Sequence, residues 1–357
     1  MTLAIKDAFQ RFRRTPAFTG FSLFVLALIL NAAIQGPAKF LSPRSFNTLL
    51  ATNLPFLIVV MGQSILLLVG TLDISIGIQL ALVNVVVVMT IQEWGVSFWT
   101  GCLFGITASL LISVLLWVSV SIFRLPALLA SFSMTYIIKG INVLIMPVPQ
   151  GKIERVFYRT YDRLLFGVVP FSLLIFIFVL LIWYYFKRTR FGTNIYAVGA
   201  DRRNAFAAGI SPKWVTLQAF LIKGLFVGIA GICLTLLTAS GNPIQAEDYG
   251  IKSLSACIIG GLGFGGWGSM ACGLFGGSFL IIIQNTVYYF FTMLYKLIPG
   301  FSVTTYWHNF VSDVIIFLGL LMTIVTAKGQ REALRQGIAQ QLKQKKEDFG
   351  GKNGSNA

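Results

Sequence analysis

Apolar stretches long enough to cross a bilayer recur along almost the whole chain, and this constrains the fold more than any single motif. A helix needs roughly 20 residues to span the hydrocarbon core. Ten such segments lie near residues 18–35, 48–70, 74–91, 96–123, 126–146, 164–186, 213–239, 251–262, 269–294 and 303–327. The eighth is too short to cross alone, so it is expected either as a half-span or as a segment that runs on through the glycine-rich stretch behind it. The runs are mostly apolar all round, as helices facing lipid or one another are. The alternating ten-residue strands of a barrel are absent. Charged residues make up only 11% of the chain, against about 25% in soluble domains, too few to cover a water-facing surface. The expected fold is an all-α polytopic integral membrane protein of about ten transmembrane segments, one of them short and glycine-rich. The transmembrane domain occupies 18–327, between an amino tail (1–17) and a basic, flexible tail (328–357). The first apolar run lacks a small-residue cleavage pattern and is expected to be retained as the first span.

The net charge of +16 invites a nucleic-acid reading, but its distribution argues for orientation instead. With the amino terminus in the cytoplasm and ten passes, the amino tail, the loop at Arg124, the loop 187–213 and the carboxy tail carry +3, +1, +5 and +4. That asymmetry is the positive-inside pattern, with attraction to anionic lipid besides. Both termini are therefore expected in the cytoplasm, the bilayer is the partner that basicity implies, and no nucleic acid is expected.

One stretch interrupts the grease. Between the sixth and seventh runs the chain reads YAVGADRRNAFAAGIS (Tyr196 to Ser211). Asp201 is placed to cap a short helix over 201–208, and Gly209 stands where a left-handed turn would end it. Small residues surround the single large apolar side chain, Phe206. Such a helix could dock on another protein with Phe206 as anchor and Arg202 and Arg203 at the rim. It could equally be an amphipathic connecting loop.

The insert's core, Asn204 to Ile210, resembles the coupling loop of ABC importer permeases, and within them the family serving bacterial sugar importers of the ribose type (the branched-chain amino acid/ribose permease superfamily). Three further stretches carry the resemblance in order: VGTLDISIG (Val69 to Gly77), FLIKGLFVGIAG (Phe220 to Gly231) and IIGGLGFGGWGSMACGLFGG (Ile258 to Gly277). It covers roughly 45–325. It implies a permease subunit in a bacterial cytoplasmic (inner) membrane, acting as a homodimer or with a related permease. Two cytoplasmic ATPase subunits would hold ATP and Mg, and an extracytoplasmic binding protein would deliver a monosaccharide or polyol. No cofactor is expected on this chain. Asp201, Arg202, Arg203, Asn204, Phe206 and Gly209 would then couple to the ATPases. Where relatives commonly carry acidic residues this chain has Gly250 and Lys252, and Trp267 replaces a common basic residue. With the basic outer loop (Lys152, Arg155, Arg159, Arg163), Lys252 would also suit an anionic or nucleoside-like solute, or that loop could receive the binding protein.

Polar residues inside the apolar runs are the remaining candidates. Gln63, Ser64, Gln79, Asn84, Ser131, Thr135, Asn285 and Asn309 could line a translocation path, since amides and hydroxyls match sugar hydroxyls; each could equally bond between helices. A carboxylate at mid-helix costs about 2.5–3.5 kcal/mol on insertion scales, so Asp73 is expected at a helix junction or capped by the amides that follow, with direct contact to substrate as the alternative role. Lys223 and Asp313 are expected either to pair or to reach an aqueous cavity or snorkel. The four cysteines lie in apolar segments with no metal spacing, and His308 has no ligand partners around it, so no metal site is expected. GFGGWG (Gly263 to Gly268) matches GxGxxG formally but lacks a strand–turn–helix setting, and no Walker motif or catalytic constellation is present. An enzyme is not expected. The rival is a secondary transporter driven by an ion gradient, using Asp73, Lys223 and Asp313 as relays. The polar insert argues against it.

Overall fold

A computed structural model describes Phe12, residues 15–297 and scattered positions between 307 and 318. Among these residues eight helices are long and apolar enough to cross a membrane. They are α1 (Ala17–Gln35), α2 (Pro43–Leu68), α3 (Ile76–Trp94), α4 (Phe98–Trp117, prolonged by a π-turn over Val118–Ile122), α5 (Ala127–Ile145), α7 (Phe171–Arg188), α10 (Pro212–Thr238) and α12 (Met270–Leu297). The others are α6 (Arg155–Tyr161), α8 (Arg190–Ala200), α9 (Arg202–Ala207) and the short apolar α11 (Tyr249–Ile259), besides one turn at Pro37–Phe40. Most of the tenth expected span and of the amino tail, and all of the carboxy tail, lie outside the described residues. So do Asn309 and His308.

Local chemistry sets the ends. Ser42 caps α2 by accepting from the Ser45 amide, with Pro43 at the first helical position, and Ser97 caps α4 through Thr100. The sixth run starts later than its hydropathy suggests. Leu164–Leu165 (β1) pairs antiparallel with Val169–Pro170 (β2), Leu164 opposite Pro170, before α7 begins.

α2, α3, α10 and α12 are mostly buried, whereas α1, α4, α5 and α7 leave most of their residues open. Four core helices are thus ringed by four whose outward apolar side chains suit lipid. Glycines let the core close up: a Cβ on Gly231 would run into Val83, and one on Gly276 into the Ala256 carbonyl.

Two breaks shape the interior. The chain leaves α2 at Val69 and enters α3 at Ile76 through a non-helical segment that holds Asp73. The second break, 239–248, dips into the bundle. Asn84 holds Ser240 and Asn242, Asn142 bonds both Ile78 and Pro243, and Gly77 faces the Ala246 and Glu247 carbonyls. From Asn84 to Gly77 is seven helical residues, so the segment descends roughly 10 Å along α3. α11 then starts with Tyr249 against Phe56 at the midpoint of α2, and the glycine stretch ends with the Gly265 amide on the Leu67 carbonyl. α11 is therefore a half-span, and the glycine-rich loop completes its crossing, allowed at that depth because protein covers it. Gly261, Gly265, Gly266 and Gly268 all have positive φ there.

Candidate functional site

The polar insert folds as two short helices joined at Asp201. The Asp201 carboxylate accepts from the amides of Arg203 (2.7 Å) and Asn204 (3.1 Å) and from the Asn204 side chain (2.9 Å). α9 ends with Gly209 at φ +80° and the Ile210 amide returning to the Ala205 carbonyl, a Schellman closure. Ala205 is buried while Arg202, Arg203, Asn204 and Phe206 are exposed, Phe206 by 70%. Beside them a cleft of about 840 Å³ is lined by Arg124, Arg202, Arg203 and Lys213 together with Phe206, so the basic loops gather at one end of the bundle. Asp201→Ala should weaken α9 by about 1 kcal/mol, and amide hydrogen exchange at Arg203 and Asn204 should speed up about fivefold.

The insert is fixed to the bundle through α8. Phe191, Ile195 and Val198 are buried, and burial raises the Tyr196 hydroxyl above its ordinary pKa. Gly199 lies so close to the Leu68 carbonyl and to Gly265–Gly266 that no side chain fits. The exposed helix α9 is thus one residue-pair away from the end of α2, where the chain turns towards Asp73.

Asp73 and Lys223 form a fully buried ion pair, Lys223 Nζ donating to Asp73 Oδ2 at 2.7 Å and to Gln79 Oε1 at 2.8 Å. The other Asp73 oxygen accepts from the Ser75 amide and hydroxyl, and Gln79 Nε2 donates to the Ser109 carbonyl and Ser113 hydroxyl. The network ties the first break to α3, α4 and α10. Pairing of Lys223 with Asp313 is thereby corrected: Lys223 reaches Asp73, which the break brings to its depth, while Asp313 is exposed.

The amides expected along a path sit mostly in helix packing. Asn84 donates to Thr235 and Ser240, Ser64 bonds the Val60 carbonyl and contacts Cys257, and Asn285 accepts from Asn31. Ser131 and Thr135 bond back into their own helix. Gln63 is buried with neither amide atom hydrogen-bonded among the described residues. Ser64, Gln79 and Asn84 are fully buried, so no solute reaches them in this arrangement. Sequence reasoning singles out Lys252 but misses Glu247 and Asp248, and with them two partly open ion pairs, Lys139–Glu247 and Lys252–Asp248. Glu247 and Asp248 precede α11 in what reads as an outside loop, and only the descent of that loop carries them to Lys139. All four cysteines are buried and free.

A profile of the branched-chain amino acid transport system permease component matches residues 45–321. The chain belongs to this permease family. Among relatives, the D-allose transport system permease protein AlsC of Escherichia coli K12 is 26% identical over 277 residues, 74% of this chain and 82% of the relative. The inner membrane ABC transporter permease protein YjfF of the same organism is 24% identical over 351 residues, 92% and 99% of the two chains. The fructose import permease protein FrcC of Rhizobium meliloti is 27% identical over 276 residues, 73% and 75%. No solved structure matches. Family membership and eight apolar helices make this permease a multi-pass membrane protein.

Proposed function

We propose that this permease is the membrane subunit of an ATP-driven importer for a monosaccharide-type solute in a bacterial inner membrane. Relatives along most of its length are permeases named for D-allose and fructose. The observation that carries the reading is α9, a capped helix that presents Phe206 and two arginines outward and rests on the bundle through Gly199. A large exposed aromatic flanked by arginines suits a docking anchor, here for an ATPase subunit that holds ATP and Mg. Clustering of Arg124, Arg202, Arg203 and Lys213 in one cleft favours a cytoplasmic side for that end, with both tails there too. A binding protein would deliver solute at the opposite end, and a second permease would complete the path. ATP-driven closure would move α8 and α9 and change the packing of the spans, giving alternating access. The ion-gradient alternative loses two of its relays, because Asp73 and Lys223 are enclosed and satisfied by each other and by Ser75 and Gln79.

Uptake into sealed vesicles that hold the permease with its ATPase, supplied with binding protein and labelled monosaccharides, tests this. Transport should need internal ATP, survive a protonophore and fall about tenfold in Phe206→Ala, the scale of losing one anchor. Uptake that follows an ion gradient and ignores ATP would sink the proposal.

A further inference from the structure

Four charged side chains, in two ion pairs joined by the chain neighbours Glu247 and Asp248, stand partly open at membrane depth. Lys139 Nζ donates to both Glu247 oxygens at 2.8 and 2.9 Å, with side chains 37% and 38% exposed. Next along the chain Asp248 pairs with Lys252, 54% and 27% exposed. Lys139 is in the body of α5, and Glu247 and Asp248 lie at the bottom of the segment that descends along α3. The contrast with Asp73–Lys223 is informative: that pair is sealed, and these two are not.

Open charges at this depth cannot face hydrocarbon, where each is costly. Lysine can reach along its stem towards an interface, but aspartate and glutamate have no such reach. Water must therefore meet these charges. We infer that the face formed by Lys139, Glu247, Asp248 and Lys252 is a wetted wall of the translocation path and contacts a neutral, polyhydroxylated solute. The choice of solute rests on the importer reading; the presence of water rests on the charges alone.

Two lysines and two carboxylates leave this wall with no net charge, so it exerts no net field to gather an anion. Lys252, which by itself suits an anionic solute, is neutralised by Asp248. What remains is two carboxylate acceptors side by side between two lysine donors, matched by hydroxyls that both give and take hydrogen bonds. Asn142 keeps the row in place by holding the Pro243 carbonyl at 3.0 Å.

Cysteine labelling tests the wall without breaking either pair. Ile244 and Ile251 flank the charges and are 50% and 63% exposed, while Leu111 in α4 and Phe178 in α7 are 61% and 57% exposed amid apolar neighbours. Full-length Ile244→Cys, Ile251→Cys, Leu111→Cys and Phe178→Cys in sealed vesicles would be treated with the trimethylammonium-ethyl and sulfonatoethyl methanethiosulfonates, with the unsubstituted chain as baseline. The first two should react at least about tenfold faster than the last two, as water-borne ions do not enter hydrocarbon. Cationic and anionic rates, each scaled to a free thiol, should agree within about threefold, since a neutral wall favours neither. Rates no faster than those of Leu111→Cys and Phe178→Cys would overturn the wall. Preference for the anionic reagent by more than about tenfold would overturn the neutral solute, as would uptake of sugar 6-phosphates in preference to the neutral sugars. Even labelling in a permease whose uptake ignores ATP would uphold the wall and refute the importer.

Discussion

Lys223→Met alone is expected to leave little folded permease in the membrane, and Asp73→Asn alone to do nearly as much damage. Each change strands a partner that is completely enclosed. Removing one member of a buried ion pair typically costs about 3–5 kcal/mol, because the remaining charge has lost its counter-ion and cannot reach water. The damage should spread beyond the pair. Asp73 organises the break between α2 and α3 through Ser75, and Lys223 anchors Gln79, which itself bonds Ser109 and Ser113 on α4. The informative variant is the double one, Asp73→Asn with Lys223→Met, which removes both charges and should recover most of the folded protein. Detergent-solubilised monodispersity and thermal unfolding read this directly. If Lys223→Met were as stable as the parent, the pair would be neutralised or hydrated in the membrane, and its part in holding the break would be withdrawn.

That pair also marks where sequence reasoning stopped. Segment positions follow from hydropathy because a bilayer admits few alternatives: α1, α5 and α10 lie within a few residues of the apolar runs. The cap at Asp201 and the turn at Gly209 were legible for a similar reason, since both act within a few residues. The shortness of the eighth run was legible from its length, but not the choice between its two readings, which the structure joins as a half-span continued by the glycine-rich loop. What hydropathy does not carry is depth. Asp73 and Lys223 are 150 residues apart, and only the non-helical break brings the carboxylate level with the lysine. Nothing in the run around Asp313 distinguishes it as a worse partner.

The same limit explains the path residues. Gln79, Asn84 and Ser64 are polar in apolar helices, which a path and a helix contact demand equally; burial decides between them, and burial is a property of the bundle. Glu247 and Asp248 were missed for the opposite reason. In the sequence they sit in a polar connection between α10 and α11, where charges look ordinary. The glycines carried the missing signal: Gly77 and Gly250 let the 239–250 segment lie against the start of α3, with the Ile74 carbonyl over Gly250 and the Glu247 carbonyl over Gly77. Close approach of two backbones at a helix start implies that one of them has entered the bundle.

Gly199→Ala is expected to separate docking from transport. A Cβ at this position would fall on the Leu68 carbonyl, with the Gly266 amide nitrogen at 2.7 Å and the Gly265 carbonyl carbon at 3.1 Å. All three are backbone atoms, so no side-chain rotation relieves the crowding and α8 must back away from the end of α2. α9 is built by its own cap and closing turn, so its exposed face, with Phe206, should survive the change. The ATPase should therefore still co-purify, while the route from α8 to Leu68 and on through Val69 to Asp73 is loosened. Mutations along such a route alter coupling by up to about 2 kcal/mol, equivalent to about thirtyfold, and ATP-driven uptake should fall by that order with the amount of assembled complex unchanged. Phe206→Ala should instead weaken co-purification along with uptake. If Gly199→Ala transported at the parent rate, motion of the insert would have to reach the spans elsewhere, most directly through the covalent links to α7 and α10. If it lost the ATPase as well, α8 and α9 would form one docking unit, and the contact with Leu68 would serve to shape it instead of relaying its movement.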